Sequence, residues 1–350
     1  MFRRFTHHFP FIIYYLLFII SSSTALTLSS CVKEEQYDDT PQGNLDALWT
    51  IIDENYCFMD YKQEALGFDW NQVRLDYRQR LNSKMNRTQL FEVLAEMLAV
   101  LRDGHVNLYA AHDVGRNWSW YEDFPRNFDT NLQESYLGTD YKIASGLSYR
   151  ILPDNIGYVV CPSFATITGD GNISEVLHYL RLCRGLIIDV RGNGGGDLTN
   201  AERLASHFTN ERIHVGYIAH KTGPGHNEFS EPEPEYLEPA ESVRWQKRTV
   251  VLTNRQCYSA TNTFVRDMKH CPRVTILGDQ TGGGSGMPFS SELPCGWSVR
   301  FSAAPMYDAD MQQIEFGIQP DILVMQTEED SRRDRDTLIE SARAILTSDI

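Results

Sequence analysis

The sequence predicts an α/β fold preceded by a small helical region. Apolar runs typical of buried strands alternate with helical patterns from residue 150 onward. Strands are predicted at 156–160, 185–190, 248–252 and 274–277, and helices at 173–182, 201–208 and 261–269. This alternation favours a largely parallel sheet covered by helices. A late apolar run at 299–303 is interpreted as an edge strand, and 335–346 as a closing amphipathic helix.

The helical region is predicted from apolar spacing near the start of the chain. Residues Leu45, Leu48 and Ile52 recur at helical intervals, and a second pattern spans 90–101 with Thr88 as a plausible cap. We therefore assign residues 44–110 to a helical N-terminal region and residues 111–350 to the α/β core. Residues 111–147, rich in Asn, Asp, Tyr and Gly, are expected to form loops and short strands.

The first thirty residues have the layout of a secretory signal peptide, with a basic start and an apolar stretch at 11–20. Leu28-Ser29-Ser30-Cys31 resembles a bacterial lipobox, which predicts lipidation of Cys31 and a polar tether over 31–43. The expected location is the bacterial cell envelope, lipid-anchored on the periplasmic side or at the outer-membrane surface. An ordinary signal peptide remains an alternative. An uncleaved anchor is less favoured, because the apolar core is about half of the roughly 20 residues that a span requires.

Charge and cysteine content exclude several classes of protein. The formal net charge is −15 without a basic cluster, which argues against nucleic-acid binding. Six cysteines follow Cys31, and their spacing shows neither a compact disulfide scaffold nor a CxxC metal motif. Pairing of Cys271 with Cys295 is left open. No metal or organic cofactor is expected.

Ser259 is a candidate nucleophile because it follows the apolar run at 250–252 in the segment Asn254–Ala260. A serine hydroxyl needs a base and nearby oxyanion donors to react. The glycine run at 192–196 lacks the residues of a P-loop or a dinucleotide fingerprint. Consecutive glycines would let backbone N–H groups approach a bound carbonyl, although a tight turn explains them equally well.

Two further residues complete a candidate site. His105 follows Gly104, which is expected to end a helix, and a capping or surface role is the simpler interpretation of it alone. Asp103 and His105 could be metal ligands, but no second histidine lies at ligand spacing. Glu315 is flanked by apolar residues, and a buried carboxylate needs a partner such as an imidazole N–H. Together with Ser259, these residues predict a serine hydrolase.

Four segments resemble the core signatures of the tail-specific, or C-terminal processing, serine peptidase family: Gly185–Asp197, Thr253–Asn262, Gly278–Gly284 and Phe316–Asp321. The resemblance covers roughly residues 90–348 and implies a ClpP/crotonase-like core. Classical members carry a lysine base where this chain has Thr281–Ser285, and residues 106–150 are too few for their PDZ domain. In both departures the chain resembles the tricorn-core branch of the family.

The resemblance also implies roles for individual residues. Ser259 would be the nucleophile, His105 the general base, and Glu315 the acid that orients the imidazole. The oxyanion would be bound by the N–H of Ala260 and one from Gly194 or Gly195. Gly104 departs from the branch, which has a serine there, and Asn262 replaces an acid that often follows the nucleophile.

The expected function is hydrolysis of peptides or unfolded protein tails through an acyl-enzyme. The alternatives are a catalytically inactive ligand-binding protein of the same fold and an esterase that uses the same triad. The oligomeric state is not predicted.

Overall fold

The computed structural model describes residues 37–116 and 121–348. The predicted signal peptide, the lipidation site at Cys31 and the first part of the tether lie outside these residues. The described residues from Asp39 onward form one compact unit. Within the described residues, no helix is both long enough and apolar enough to cross a membrane.

In the described part of the chain, four helices precede the first strand and six follow it. They are α1 (Pro41–Asn55), α2 (Met59–Leu66), α3 (Trp70–Gln79), α4 (Arg87–Ala99), α5 (Thr130–Leu137), α6 (Asp170–Tyr179), α7 (Leu198–Ser206), α8 (Ala260–Lys269), α9 (Glu328–Ser331) and α10 (Thr337–Thr347). Helix α4 begins earlier than its predicted cap, Thr88. The cap is Asn86, whose side chain accepts the Gln89 N–H at 2.9 Å while the Gln89 side chain accepts the Asn86 N–H at 3.1 Å.

The strands of the described residues form two sheets. They are β1 (Asn107–Tyr109), β2 (Val114–Arg116), β3 (Lys142–Ala144), β4 (Leu147–Ile151), β5 (Gly157–Val160), β6 (Leu186–Asp189), β7 (Ile213–Ile218), β8 (Glu233–Leu237), β9 (Thr249–Thr253), β10 (Val274–Gly278), β11 (Gly286–Glu292), β12 (Ser298–Asp308) and β13 (Ile322–Leu323). The larger sheet has the order β13-β10-β9-β6-β5-β4-β3. Strands β13, β10, β9, β6 and β5 run parallel to one another, whereas β4 is antiparallel to both of its neighbours, β5 and β3.

Helices cover both faces of this larger sheet. One core cluster joins alternate strand residues such as Ile188 and Val251 to helices α6, α7 and α8. The other cluster joins their neighbours, including Ile187 and Val250, to helix α10. Because both faces are buried, the strands are continuous apolar runs, and this is why the sequence predicts them well. The predicted α/β class is confirmed.

The second sheet corrects one prediction. It has the order β2-β1-β12-β7-β8, with β11 also paired to β12. The run at 299–303 is indeed a strand, within β12, but it is not an edge strand. It lies between β1 and β11 over residues 298–300, and the end of β12 pairs with β7. Two of its partners, β1 and β7, are distant in sequence, so local periodicity could not reveal that pairing.

Candidate active site

Ser259 lies at the turn between strand β9 and helix α8, where it is the N-cap of the helix. Its backbone has φ 58° and ψ −123°, a conformation that a residue with a Cβ rarely adopts. Two backbone hydrogen bonds hold the turn: the Tyr258 N–H donates to Asn193 O at 3.1 Å, and the Ser259 N–H donates to Gly283 O at 2.8 Å. Such strain persists only where surrounding contacts impose it, and it concentrates at functional sites.

The glycine run lies beside Ser259 because β6 and β9 are parallel neighbours. Asp189 pairs with Leu252, so the loops that follow the two strands leave the sheet at the same edge. The two loops are also tied directly, since the Gly192 N–H donates to Asn254 Oδ1 at 3.0 Å. The parallel sheet predicted from sequence thus accounts for this contact.

The structure distinguishes between the two glycines proposed as oxyanion donors. The Gly195 N–H donates to Asn193 Oδ1 at 2.9 Å, so it is already engaged. The Gly194 N–H makes no backbone hydrogen bond to any described residue, and a Cβ at Gly194 would meet nothing within 4 Å. Ala260 begins α8, and the first amides of a helix have no partner within it. Of the amides expected to bind the oxyanion, those of Ala260 and Gly194 are therefore the ones not already engaged.

His105 reaches Ser259 from the loop before strand β1. Its Nε2 lies 2.9 Å from Ser259 Oγ, and the side chain is 6% exposed. The His105 N–H donates to Asp103 Oδ1 at 2.7 Å, and the imidazole packs edge-on against the Tyr258 ring with 5.1 Å between centroids. Residues separated by 154 positions in sequence are thus within hydrogen-bonding distance.

Glu315 does not make the contact with His105 that the resemblance implies. Its Oε1 pairs with Lys62 Nζ at 2.9 Å, and its Oε2 accepts the Ser285 N–H at 2.9 Å. His105 Nδ1 has no hydrogen-bond partner among the residues that the structure describes. The physical reason is Lys62, which is only 1% exposed and needs an opposite charge beside it. In this structure the direct contact joins Ser259 and His105, and Glu315 is held by Lys62, so the role of Glu315 as the third member of a triad stays a prediction.

Asp103 is the second buried carboxylate of the site. It accepts hydrogen bonds from Tyr56 Oη at 2.8 Å, Tyr258 Oη at 3.1 Å and Ser302 Oγ at 3.3 Å, in addition to the His105 N–H. Burial alone would raise the pKa of Asp103, but the charges of Lys62 and His105 and the hydrogen bonds from the His105 backbone N–H and Tyr56 lower it below its usual value. Asp103 is therefore ionised at neutral pH.

The pKa of Glu315 is shifted in the opposite direction. Burial raises its pKa to about 7, Lys62 opposes this only in part, and the nearby charge of Asp103 adds to the increase. The two carboxylates share one buried cation, and Asp103 has more hydrogen-bond donors than Glu315. Asp103 therefore keeps its charge, and Glu315 titrates near neutrality.

Burial also lowers the pKa of His105 below its ordinary value, and the charge of Asp103 opposes this shift. A neutral imidazole with its proton on Nδ1 leaves Nε2 free to accept the Ser259 hydroxyl proton. The carboxylate that acts on the charge of His105 is therefore Asp103, two residues before it, rather than Glu315.

Lys62 is not among the residues predicted from the sequence, and Asn262 is predicted only as a departure from the family's pattern. Lys62 lies in the short helix α2, where nothing in the local pattern distinguishes a buried lysine from an exposed one. Asn262 is fully buried, donates to Ile314 O at 3.0 Å and accepts from Thr281 Oγ1 at 2.6 Å. It thus anchors the segment that carries Glu315, which is a packing role.

The described cysteines are all free thiols, so Cys271 and Cys295 do not pair. In the described part of the chain, no group of three or more His, Cys, Asp or Glu side chains is arranged to hold a metal ion.

Comparison with known proteins finds two family models and a solved structure that match this chain. Residues 155–324 match the family described as Peptidase family S41, and residues 37–99 match the Tricorn protease C1 domain. A crystal structure of a protein from Parabacteroides merdae, assigned as a peptidase, is 49% identical with a TM-score of 0.84, and the match covers 89% of this chain and 98% of that one.

More distant relatives share part of the sequence or only the fold. The carboxy-terminal processing protease CtpA of Bacillus subtilis is 25% identical over 48% of this chain and 35% of its own length. The chain thus spans about a third of the curated relatives that it matches. Mature CPAF, solved in complex with lactacystin, is 13% identical with a TM-score of 0.66 over 88% of this chain and 97% of that chain, a likeness of fold. The ClpP/crotonase-like core with a helical N-terminal region is in accord with these matches.

Proposed function

The chain belongs to peptidase family S41, and on that basis we propose that it is a serine peptidase that hydrolyses peptides or unfolded protein tails. The observation that carries the proposal is the 2.9 Å distance between Ser259 Oγ and His105 Nε2. A serine hydroxyl in contact with a neutral imidazole is the arrangement that nucleophilic catalysis requires.

The proposed reaction has two steps. His105 Nε2 takes the hydroxyl proton as Ser259 Oγ attacks the scissile carbonyl, and the N–H groups of Ala260 and Gly194 stabilise the oxyanion. His105 then donates the proton to the leaving amine, which leaves an acyl-enzyme on Ser259. Water activated by the same imidazole hydrolyses the acyl group and frees the serine.

In this proposal the two buried acids, Asp103 and Glu315, act on His105 through their charges. Asp103 accepts a hydrogen bond from the His105 backbone N–H at 2.7 Å. Its negative charge stabilises the imidazolium that forms when His105 takes the proton. Glu315 neutralises Lys62, which would otherwise repel that imidazolium. The third member of the expected triad is therefore proposed to act on His105 through Lys62, as a positioning residue.

Labelling with a fluorophosphonate probe tests the activated serine. We expect wild-type protein to be labelled and both Ser259→Ala and His105→Ala to lose labelling. His178→Ala, an exposed histidine of helix α6, is the matched control and should label normally. Labelling that persists in Ser259→Ala, or that is absent from folded wild-type protein, would contradict the proposal.

We also propose that the chain is a lipid-anchored protein of the bacterial envelope. Support comes from the signal-peptide layout and the lipobox-like sequence that ends at Cys31. Cells that express the full chain should incorporate an alkyne-labelled fatty acid into it, and Cys31→Ala should not be labelled. Equal labelling of the two proteins would exclude Cys31 as the lipidated residue.

A further inference from the structure

A cavity of about 490 Å³ lies beside the candidate nucleophile. Tyr258 and Gly282 line it, and these residues flank the backbone contact of Ser259. Tyr258 precedes Ser259 in sequence, and Gly282 precedes Gly283, whose carbonyl accepts the Ser259 N–H. A molecule in the cavity would therefore be next to the reacting serine.

Three cationic side chains line this cavity, although the chain as a whole is strongly acidic: Lys62, Arg102 and Arg255. Two acids also line it, Glu315 and Asp123, and they pair with Lys62 and Arg102 respectively. The Lys62–Glu315 pair is buried and is part of the catalytic cluster described above. The two arginines therefore remain as the cations available to a ligand.

Arg255 is incompletely paired. Its nearest acid is Asp279, whose Oδ2 lies 3.4 Å from Nε, and the buried Nε has no hydrogen-bond partner in the described chain. A guanidinium carries five N–H donors, and a carboxylate can accept two of them side by side. Arg255 can therefore bind an additional anion without losing an established hydrogen bond at Nε.

Neighbouring side chains hold both arginines at the cavity. The Arg255 guanidinium lies over the Phe124 ring, with its central carbon 4.0 Å from the ring centroid. Stacking on an aromatic ring fixes the plane of the guanidinium while its edge stays free to donate. Arg102 pairs with Asp123 at an exposed position, where 45% and 64% of the two side chains are accessible. An ion pair this exposed contributes little, so a ligand carboxylate can replace Asp123.

We propose that this cavity is a subsite that binds a carboxylate of the peptide, with Arg255 as its main partner and Arg102 as a second. The inference rests on the proposed peptidase function. The carboxylate has two sources in a peptide, the C-terminal α-carboxylate and an Asp or Glu side chain. The aromatic walls supplied by Phe124 and Phe316 would contact the apolar part of the same residue.

The test measures binding to the Ser259→Ala protein, so that it does not depend on hydrolysis. The probes are four pools of fluorescein-labelled hexapeptides, randomised over uncharged residues. The first pool has a free C-terminal carboxylate and the second a C-terminal amide. The third and fourth are amides that carry one Glu or one Gln at a fixed internal position. Fluorescence anisotropy gives Kd for each pool.

We expect a carboxylate to tighten binding about tenfold, the effect of one charge-assisted hydrogen bond. A preference for the free acid over the amide assigns the α-carboxylate, and a preference for Glu over Gln assigns the side chain. Either preference should disappear in Arg255→Gln and shrink in Arg102→Gln. It should remain in Arg332→Gln, which removes an arginine that follows helix α9 directly and whose side chain is 77% exposed.

Two results would overturn the subsite. One is that neither carboxylate pool binds more tightly than its neutral counterpart. The other is that the preference survives in both Arg255→Gln and Arg102→Gln. Arg102 is exposed, so its variant keeps the test valid even if Arg255→Gln does not fold. If the folded wild-type protein is not labelled by the fluorophosphonate but the Ser259→Ala protein keeps the carboxylate preference, only the peptidase proposal is contradicted.

Discussion

His105 illustrates how burial and charge act on one residue. Burial removes water from the imidazole and lowers its pKa, whereas the charge of Asp103 raises it. The net shift is downward, so His105 stays a neutral base below its ordinary pKa of about 6.5. The reactive state of the site therefore extends into mildly acidic solution.

This balance predicts a pH profile. The fluorophosphonate reaction rate of the wild-type protein should rise with pH as His105 loses its proton, with a midpoint below about 6.5. Asp103→Asn removes the charge that raises the pKa of His105, so the midpoint should move to lower pH. The asparagine Oδ1 can still accept the His105 N–H.

The control for the profile is Glu315→Gln. A limb near pH 7 would report Glu315, whose pKa is raised to about 7, and it should vanish in that variant. An upward shift of the midpoint in Asp103→Asn would show that Asp103 does not act on His105 through its charge.

The Lys62–Glu315 pair predicts a coupled effect on stability. Near pH 8, above the pKa of Glu315, Lys62→Met should lower the free energy of unfolding by about 3–5 kcal/mol, because the buried carboxylate is left without its partner. Glu315→Leu should lower it by less, because Lys62 keeps the nearby charge of Asp103. The double variant should lose less than the sum of the two. Below pH 7 Glu315 takes up a proton in the folded state, so Lys62→Met should cost less there.

Urea denaturation of the four proteins, followed by circular dichroism, checks this coupling. The exposed pair Arg80 and Glu96 is the matched control, and alanine substitutions there should be additive within about 0.5 kcal/mol. Additive losses at Lys62 and Glu315 would show that the buried pair does not act as a unit.

At the scale of elements, the site depends on the loops that follow β6 and β9. Gly195 has φ 103°, and a Cβ there would lie 2.8 Å from Ser259 Cβ and 2.7 Å from Tyr258 O. Only glycine fits both the backbone conformation and the space. Gly195 is therefore required by the close approach of two loops, whatever the glycine run contributes as N–H donors.

Gly195→Ala should displace the Ser259 turn and lower the fluorophosphonate reaction rate by about 100-fold or more, the scale of losing an oxyanion donor. Gly171→Ala is the matched control, because a Cβ at that exposed glycine meets nothing within 4 Å. It should leave the rate unchanged. A Gly195→Ala protein that reacts at the wild-type rate would show that the Ser259 turn accommodates the added Cβ without losing its active-site geometry.

At the scale of the whole molecule, a buried ionic network attaches the C-terminal helix to the parallel sheet. The Arg191 guanidinium donates to Asp189 Oδ2 at 2.7 Å and to Asp336 Oδ2 at 2.9 Å. Asp189 ends β6, and Asp336 caps α10 through the N–H groups of Leu338 and Ile339. The glycine run begins directly after Arg191, so the network also supports the site.

Asp336→Ala should lower the free energy of unfolding by about 3–5 kcal/mol, since it removes a buried partner of Arg191 and the cap of α10. Glu328→Ala, which removes an exposed partner of Arg332, should change it by less than about 1 kcal/mol. Chemical denaturation measures both. A loss in Asp336→Ala no larger than the control would show that α10 is held by apolar packing alone.

Much of the fold and part of the site follow from sequence patterns. The buried strands around 157–160, 186–189 and 249–253 are continuous apolar runs, which local hydrophobicity reveals. The proximity of the glycine run to Ser259 follows because parallel neighbours end at one edge. The pairing of β12 with β1, about 190 residues earlier in the chain, does not follow, because pairing between distant segments leaves little local trace.

The amino-acid sequence alone determines the α/β class, the family and the candidate Ser259, because these depend on local periodicity and on motifs within short segments. The tertiary structure decides which charges meet. It places Lys62 against Glu315, leaves Asp103 to act on His105, and positions Arg255 at the cavity beside Ser259. The physical reason is that pairing of buried charges depends on distances of a few ångströms between segments far apart in the chain, which the spacing of residues in sequence does not encode.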